Sequence, residues 1–228
     1  MCEAMSDPVH MVIPARAGSS VKNKNVRFYR GETLLGRAVR KGRAVAEYFG
    51  GGMRVSVLTD SALYASVARY AGAEVPYIDG PHGDRDDVTL ALRRYLDYVG
   101  TDEVWLAMLQ CTAPRLMEQR MIDALERVAG LERRDVLMTV TPLEYKSTAL
   151  LDMSAGGCLL PAVPGLPEPS IPRQELRAVW RFTGGLTVVH GTQVRAAARS
   201  FFEGGRWLAV TVDPEEALDI DRLEDFDK

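Results

Sequence analysis

Residues 9–25 read VHMVIPARAGSSVKNKN and join an apolar run directly to a loop of small and basic residues. The apolar run, residues 9–14, has the length and composition of a buried β-strand. The small and basic members of the loop are Ala15, Arg16, Ala17, Gly18, Lys22 and Lys24. Small side chains let backbone N–H groups approach an anion closely, and basic side chains add positive charge to such a site. The loop therefore either turns a corner or cradles an anion.

Strand-like runs alternate with helix-like runs over the first two-thirds of the chain. The predicted strands are residues 9–14, 54–59, 73–78, 103–109 and 135–141. Three helices are predicted at residues 34–48, 87–99 and 117–129. A further helix is predicted to begin after Asp60 or Ser61, either of which can cap it, and to end near Gly72. In that last helix, Leu63, Val67 and Tyr70 are predicted to face the core. This alternation is typical of a doubly wound, mostly parallel α/β sheet with right-handed crossovers.

The alternation stops after residue 141. Residues 152–175 contain five prolines and three glycines, which predicts an irregular or hairpin excursion. The chain then returns to the sheet with two further predicted strands, residues 185–190 and 206–212, which a helix near residues 191–199 separates. We therefore predict a single domain over residues 1–228, in which residues 142–182 are inserted as a lid or as a dimerisation arm.

The composition bounds the class of protein. With 46% hydrophobic and 26% charged residues among 228, the chain has the composition of a soluble globular protein. The net charge is −3, and the basic run at residues 37–43 lacks interleaved aromatics and is predicted to be largely the solvent face of a helix, so we expect no nucleic-acid partner. No apolar run approaches the length of a membrane span and no targeting peptide is evident, so we expect no membrane partner and a cytoplasmic location. The three cysteines, Cys2, Cys111 and Cys158, have no metal-ligand spacing and are expected to be reduced.

The charges are unevenly distributed. Residues 16–43 contain nine Lys or Arg and one acid, whereas residues 213–228 contain eight acids and two bases. In an extended segment, Asp219 and Asp221 would point to the same side, and two carboxylates together with phosphate oxygens commonly hold Mg²⁺. The alternative is a helix N-terminus at which Asp221 is the cap and Glu224 completes a capping box.

Ligands of a doubly wound sheet bind at the carboxyl ends of its strands, where the opening loop and residues 110–115 are predicted to lie. Gln110 and Thr112 have uncharged groups that suit a polyol or an amide, and an ordinary strand-to-helix turn is the alternative. Arg173 and Gln174 have the chemistry to clamp a carboxylate, and plain solvation is their alternative. The loop matches neither G-x-G-x-x-G nor G-x-x-x-x-G-K-[ST], which weighs against a dinucleotide dehydrogenase or a P-loop NTPase.

Six stretches carry a family resemblance when they are read in order. They are IPARAGS…KNKN, VLTDSALYASVARYAGAEVP, DDVTLALRRYL, LQCTAPR, RQELRAVWRFTGG and DIDRLEDF. Together they resemble the CMP-sugar synthetases, the acylneuraminate cytidylyltransferase family and its relatives. The resemblance implies a Rossmann-like α/β nucleotidyltransferase that transfers CMP from CTP to an acidic acceptor and releases pyrophosphate. It also implies Mg²⁺ or Mn²⁺ as the cofactor and a homodimer as the assembly.

The resemblance implies roles for individual residues. Nucleotide binding would fall to Pro14, Ala15, Arg16, Ala17, Gly18, Ser19, Asn25, Asp86 and Asp87. The residues that would stabilise the departing pyrophosphate, and so act catalytically, are Arg16, Lys22 and Lys24. Acceptor binding would fall to Gln110, Thr112, Arg173 and Gln174. The metal would be held by Asp219 and Asp221.

Departures from the family pattern leave the acceptor open. Ser20 stands where the family loop has Lys, and Thr183, Gly184 and Gly185 replace an Asn-Gly-Ala triplet. One acceptor class is a sialic-acid-like 2-keto sugar acid. The other is a small phosphonate, phosphonoformate-like, of the kind used in phosphonate natural-product biosynthesis, and an arginine such as Arg115 suits a compact dianion. A hypothesis of another class is that the chain is a non-catalytic nucleotide-binding protein of the same fold. The presence of both Asp219 and Asp221 argues against it, because a protein that only binds a nucleotide has no use for a pair of metal ligands.

Overall fold

The computed structural model describes residues 7–18, 21–78, 88–143, 151–153, 159–161 and 178–228. Its strands are β1 (Val9–Pro14), β2 (Phe28–Tyr29), β3 (Glu32–Thr33), β4 (Val55–Leu58), β5 (Trp105–Leu109), β6 (Asp135–Pro142), β7 (Leu151–Met153), β8 (Leu159–Pro161), β9 (Trp180–His190) and β10 (Arg206–Thr211). Its α-helices are α1 (Leu34–Tyr48), α2 (Ala62–Tyr70), α3 (Val88–Val99), α4 (Glu118–Glu126) and α5 (Gly191–Ala196). Short 3₁₀ helices are Lys24–Val26, Val128–Gly130 and Leu223–Asp227. Within this described part of the chain, no helix combines the length and the apolar character needed to cross a membrane.

Six of the strands form one sheet in the order β10-β6-β9-β5-β1-β4. Strand β1 pairs in parallel with both β4 and β5, and β10 pairs in parallel with β6. Strand β9 runs antiparallel between β5 and β6. The sheet is thus mostly parallel and is flanked by helices, which confirms the predicted doubly wound α/β fold. The carboxyl ends of five strands and the amino end of β9 therefore meet at one edge.

Strands β1, β4 and β5 are buried on both faces of the sheet, and their apolar side chains alternate between two clusters. In β1, Met11 and Ile13 join the cluster that includes α1 and α4, whereas Val12 joins the cluster that includes α3. A glycine in α1 permits close packing: a Cβ at Gly42 would lie 3.2 Å from both Met11 and Val55. The continuously apolar character of β1 is what burial on both faces requires.

Helix α2 turns a different face to the core from the one predicted. Tyr64, Ala65 and Ala68 are buried, whereas Leu63 is 52% exposed and Tyr70 is 96% exposed. The small side chains of the two alanines let the helix approach its neighbours closely, and this outweighs burial of the larger apolar side chains. The predicted core face is therefore wrong for Leu63 and Tyr70, whereas Val67 is partly buried and packs against the core as predicted.

Several element boundaries also differ from the predictions. Residues 73–78 form only isolated bridges rather than a strand, because Pro76 removes a donor from the ladder. The helices predicted at 117–129 and 191–199 end at Glu126 and Ala196. Local sequence signals are weakest at the ends of helices and strands, which is why the predicted ends differ from those of the structure.

Both ends of the predicted insertion, residues 142–182, belong to the sheet, since Pro142 pairs with Trp180. Within the insertion, β7 and β8 form a two-stranded antiparallel sheet. The rest of its interior lies outside the described residues. Its role as a lid or as a dimerisation arm stays a prediction.

Candidate active site

The edge at which five strands end brings together distant parts of the sequence. The segments that lie there are residues 15–18, 59–60, 110–116, 181–185 and 212–222. Among the predicted site residues, those outside the described residues are Ser19, Asp86, Asp87, Arg173 and Gln174. The other predicted site residues lie on this edge or on the turn that follows β1.

Asp60 fixes the loop after β1. The backbone N–H of Ala17 donates to Asp60 Oδ1 at 2.8 Å, and the Asn25 side chain donates to the carbonyl of Arg16 at 3.3 Å. Of the two candidate caps for α2, Ser61 takes that role. The N–H of Ala17 is thus engaged inside the protein, and a phosphate would have to be bound by other groups of the loop. Sequence reasoning missed this role of Asp60. The signal that could have found it is the position of Asp60 just beyond the carboxyl end of the parallel strand β4.

Lys24, rather than Lys22, is turned toward the acidic end of the chain. Asn23 has a φ of 57°, in the left-handed region that Asn tolerates, and begins the 3₁₀ helix in which Lys24 is buried. Lys24 Nζ donates to Asp221 Oδ1 at 2.9 Å, although the two residues are 197 positions apart in the sequence. Lys22 is exposed. The basic loop and the acidic segment therefore meet at the ion pair of Lys24 with Asp221.

Asp219 and Asp221 lie in an extended segment that is tied to residues 110–116. The N–H of Ile220 donates to the carbonyl of Thr112 at 2.8 Å. Burial raises the pKa of Asp219 and the charge of Asp221 adds to the rise, whereas the nearby Thr112 side chain opposes it. Asp219 Oδ1 is buried and has no hydrogen-bond partner among the described residues. An orphaned carboxylate oxygen beside a second carboxylate fits a divalent cation such as Mg²⁺.

A further carboxylate, Asp225, holds the backbone of this segment. Asp225 Oδ2 accepts from the N–H groups of Asp221 at 3.0 Å and of Arg222 at 2.8 Å. The carboxylate that holds the start of the following 3₁₀ helix is thus that of Asp225, so the alternative prediction of a capping box on Asp221 and Glu224 is wrong. The Asp221 side chain is not the cap, and it pairs with Lys24 instead.

Lys41 of α1 is a second buried lysine near this edge. Its Nζ donates to the carbonyl of Pro114 at 2.9 Å and to that of Leu116. Burial lowers the pKa of Lys41 to about 8. The prediction that the basic run at 37–43 faces solvent is therefore wrong for Lys41, which instead holds the loop that carries Thr112.

The residues that follow β5 have contacts with two other strands. The N–H of Gln110 donates to the carbonyl of Gly185 at 3.0 Å. Cys111 is buried, with its Sγ 3.9 Å from the carbonyl oxygen of Pro14, and burial raises the pKa of its thiol to about 12. A buried thiol with so high a pKa is not a nucleophile.

The Thr-Gly-Gly triplet that departs from the family pattern is packed into the sheet. Thr183 Oγ1 lies 2.7 Å from Thr139 Oγ1, where the pairing of β6 and β9 shifts register. A Cβ at Gly185 would lie 3.2 Å from Leu116 and 3.3 Å from Ala113. The triplet thus serves close packing of β9 on the 110–116 loop.

An open cavity of about 670 Å³ lies against the acid pair. The residues that line it are Arg115, Arg181, Pro214, Glu215, Ala217, Leu218, Asp219, Asp221, Arg222, Glu224, Asp225 and Lys228. Its volume is that of a small-molecule site. Because Asp221 lines the cavity and also contacts Lys24, it marks the point at which the cavity and the basic loop meet.

A separate group of potential metal ligands lies at the opposite edge of the sheet and comprises Asp7, Glu103 and His190. His190 Nδ1 accepts from the N–H of Thr192, which places the ring proton on Nε2, 3.2 Å from Asp7 Oδ2. The guanidinium of Arg133 pairs with both carboxylates. Arg133 thus supplies the positive charge that a cation would supply, and the group is an ion-pair cluster.

Comparison with known proteins shows the fold. The sequence gives no significant match to a protein-family model or to a curated protein. CMP:2-keto-3-deoxy-manno-octonic acid synthetase, solved in complex with CTP, superposes with a TM-score of 0.67 and 16% identity over 94% of this chain and 93% of that chain. A 4-diphosphocytidyl-2C-methyl-D-erythritol synthase superposes with a TM-score of 0.66 and 13% identity over 98% of this chain and 96% of that one. The synthase of the same name from Anaerococcus prevotii superposes with a TM-score of 0.67 and 12% identity over 99% of this chain and 96% of that chain. At these identities, the likeness establishes the α/β fold.

Proposed function

We propose that this protein is a CTP-dependent cytidylyltransferase that transfers CMP to an acidic acceptor and releases pyrophosphate. The observation that carries the proposal is the ion pair between Lys24 and Asp221, which joins the basic loop to the acidic segment at the ligand-binding edge. The shared fold with solved cytidylyltransferases supports the choice of reaction class by analogy.

In the proposed reaction, an acceptor oxygen attacks the α-phosphorus of CTP. The bond from that phosphorus to the bridging oxygen breaks, and its electron pair leaves with pyrophosphate. Such a displacement depends on alignment and charge stabilisation more than on covalent catalysis. Arg16 and Lys24 would stabilise the departing charge, while residues 14–18 and Asn25 would position the nucleotide. No nucleophilic side chain is needed, in keeping with the buried Cys111.

Asp219 and Asp221 would hold Mg²⁺ or Mn²⁺. The fit rests on the orphaned Oδ1 of Asp219 and on the second carboxylate beside it. The metal, when bound, would neutralise charge on the phosphate oxygens. Lys24 would hold the Asp221 side chain near the loop, and Asp225 would fix its backbone.

The acceptor is either a sialic-acid-like 2-keto sugar acid or a small phosphonate. Gln110 and Thr112, at the carboxyl end of β5, would contribute uncharged hydrogen-bonding groups to either acceptor. The homodimer and the cytoplasmic location stay predictions.

Pyrophosphate release tests the proposed reaction. The protein is incubated with Mg²⁺, each of the four nucleoside triphosphates, and a panel of keto sugar acids and phosphonates. We expect release with CTP and at least one of these acceptors. If CTP binds but no acceptor gives release, the chain is a non-catalytic nucleotide-binding protein and the proposal fails.

The variant Asp221→Ala tests the role of the acid pair. We expect kcat to fall by about 100-fold or more, because charge stabilisation at the phosphates is lost, while CTP binding is retained. Asp221 is 68% exposed but is the carboxylate partner of the buried Lys24, so the melting temperature of the variant is measured as well, and only a folded variant counts in the test. Asp227→Ala removes an exposed carboxylate a few residues away and is the matched control. Full activity of Asp221→Ala would refute the assignment.

A further inference from the structure

One main-chain oxygen, that of Lys228, is held by two arginines from distant parts of the chain. Arg30 donates to it from a terminal nitrogen at 2.8 Å, and Arg115 also donates to it from a terminal nitrogen. Arg30 lies in the turn between β2 and β3, and Arg115 lies in the loop that follows β5. Three segments that are remote in sequence therefore meet a few residues beyond Asp221.

The side chain of Tyr29 keeps both arginines in place. Its hydroxyl accepts from Arg115 Nε at 2.9 Å, and the guanidinium of Arg30 lies 5.4 Å from the centre of its ring. Tyr29 itself is buried in the core. Because one fixed ring contacts both guanidinium groups, the donors that receive the Lys228 oxygen belong to a well-packed part of the fold.

The backbone of Arg30 is strained. Its φ is 48° and that of Gly31 is 84°, so both residues of this two-residue hairpin turn are left-handed. Asn, Asp or Gly usually takes the first of these positions, since other side chains crowd the backbone there. An arginine at this position indicates that the contacts of its side chain compensate for the strain.

Lys228 connects these arginines to the proposed metal ligands. Its Nζ donates to Asp225 Oδ1 at 2.7 Å. The other oxygen of the same carboxylate accepts from the N–H groups of Asp221 and Arg222. Each oxygen of Asp225 thus has its own donors, and the contacts continue from Arg30 to the backbone of Asp221.

The loop after β5 contacts the acidic segment at two points. The carbonyl of Thr112 accepts from the N–H of Ile220 at 2.8 Å, and Arg115 holds Lys228 further along the chain. Asp221 lies between these two points. Its backbone is therefore held on both sides, while its exposed side chain pairs with Lys24.

We propose that three basic residues position the metal site through the main chain of the acidic segment. Together with one carboxylate they form a clasp, which comprises Arg30, Arg115, Asp225 and Lys228. The clasp holds the backbone of Asp221 so that its carboxylate can ligate a divalent cation beside Asp219. The inference rests on the proposed function, because it takes these two aspartates as the metal ligands.

A charge effect of the same basic residues would have the opposite sign. Positive charges near two carboxylates repel a divalent cation, so the removal of one positive charge should strengthen cation binding. If the clasp positions Asp221, the same removal should weaken cation binding, because a displaced carboxylate loses the geometry that ligation requires. The direction of the change therefore separates positioning from electrostatics.

Mn²⁺ binding to the protein without nucleotide, followed by the electron paramagnetic resonance of free Mn²⁺, tests the clasp. We expect Lys228→Met and Arg30→Met each to weaken Mn²⁺ binding about tenfold. Lys228→Arg keeps a donor for Asp225 and should retain the wild-type affinity within about threefold. Arg222→Met is the matched control, because it removes a positive charge from the same segment, but its side chain pairs with the exposed Glu224 instead. We expect this control to bind Mn²⁺ as tightly as the wild type or more tightly.

Several results would overturn the proposal. These are no binding of Mn²⁺ to the wild type, unchanged or tighter binding in both clasp variants, and an equal loss in Arg222→Met. Melting temperatures identify any loss that comes from unfolding. If Arg30→Met unfolds, Lys228→Met decides the question, since the Lys228 side chain is 59% exposed and its removal leaves both arginine contacts to the main-chain oxygen in place.

Turnover distinguishes this proposal from the proposed reaction. The clasp variants should need about tenfold more Mg²⁺ for half-maximal pyrophosphate release, with kcat at saturating Mg²⁺ within about threefold of the wild type. If no acceptor gives release while both variants still weaken Mn²⁺ binding, the transfer reaction fails and the clasp stands. If both variants release pyrophosphate with the Mg²⁺ dependence of the wild type, the reaction stands and the clasp fails.

Discussion

Lys24 and Lys41 come from the same basic stretch, residues 16–43, and are both buried, with 8% and 6% exposure, yet their surroundings differ. Lys24 meets a carboxylate from the far end of the chain, Asp221. Lys41 meets two main-chain carbonyls of the 110–116 loop, and burial lowers its pKa to about 8. The comparison teaches that the partner of a buried lysine, rather than its burial or its local sequence, separates a lysine that meets the proposed metal-binding segment from one that supports a loop.

The largest expected effect comes from removing the charge at Lys24. Lys24→Met should lower kcat for pyrophosphate release by about 100- to 1,000-fold, the usual loss when one group that stabilises transition-state charge is removed. Its partner Asp221 is largely exposed, so the free energy of unfolding should hardly change. Steady-state kinetics and urea unfolding measure the two quantities.

Lys22→Met sharpens the assignment within the loop. Lys22 is exposed, and we expect its removal to change kcat by less than about threefold. Equal losses in the Lys22 and Lys24 variants would break the distinction between the two lysines.

Lys41→Met should have a smaller effect on activity. The loop that carries Thr112 loses two hydrogen bonds, and we expect kcat to fall about tenfold through misplacement of the acidic segment. Two buried carbonyls lose their donor, which lowers the free energy of unfolding by about 1–3 kcal/mol. The variant also no longer buries a charged ammonium group, which raises the free energy of unfolding by about the same amount. The free energy of unfolding near pH 7 should thus change little. A loss of kcat as large as that of Lys24→Met would contradict the division of roles.

The smallest expected effect is a pH dependence of stability. Lys41 has a pKa of about 8 in the folded protein, against about 10.4 in an unfolded chain. Between these values the unfolded chain binds more protons, so the free energy of unfolding of the wild type should rise with pH relative to Lys41→Met, by at most about 1.4 kcal/mol per pH unit. The charged neighbours that act on Lys41 are Glu32, Arg37, Arg40 and Glu118. A constant difference in urea unfolding between pH 8 and pH 10 would contradict the burial of a charged Lys41.

The fold could be predicted from the sequence because burial gives the apolar residues of strands and helices a characteristic spacing along the chain. The continuously apolar β1 and β5 indicate parallel strands covered on both faces, and the structure confirms this. The core face of α2 could not be predicted, because Ala65 and Ala68 pack closely while the larger Leu63 and Tyr70 stay exposed. Small residues carry little signal in a pattern of hydrophobicity.

The candidate site was only partly predictable. The spacing of Asp219 and Asp221 indicates that they lie together, and both line one cavity. Sequence alone could not choose Lys24 over Lys22, since the left-handed Asn23 and a contact 197 positions away decide it. The role of Lys41 depends on partners that only the folded chain supplies, the carbonyls of Pro114 and Leu116. Its local sequence resembles that of any solvated basic residue.

Phosphorus NMR of the complete reaction tests the central claim most directly. The wild-type protein is mixed with CTP, Mg²⁺ and the acceptor panel, and the ³¹P spectrum is followed with time. Attack at the α-phosphorus predicts loss of CTP with equal amounts of pyrophosphate and of a new resonance from CMP joined to the acceptor. A spectrum in which CTP persists with every acceptor, or in which CDP and inorganic phosphate appear instead, would contradict cytidylyl transfer.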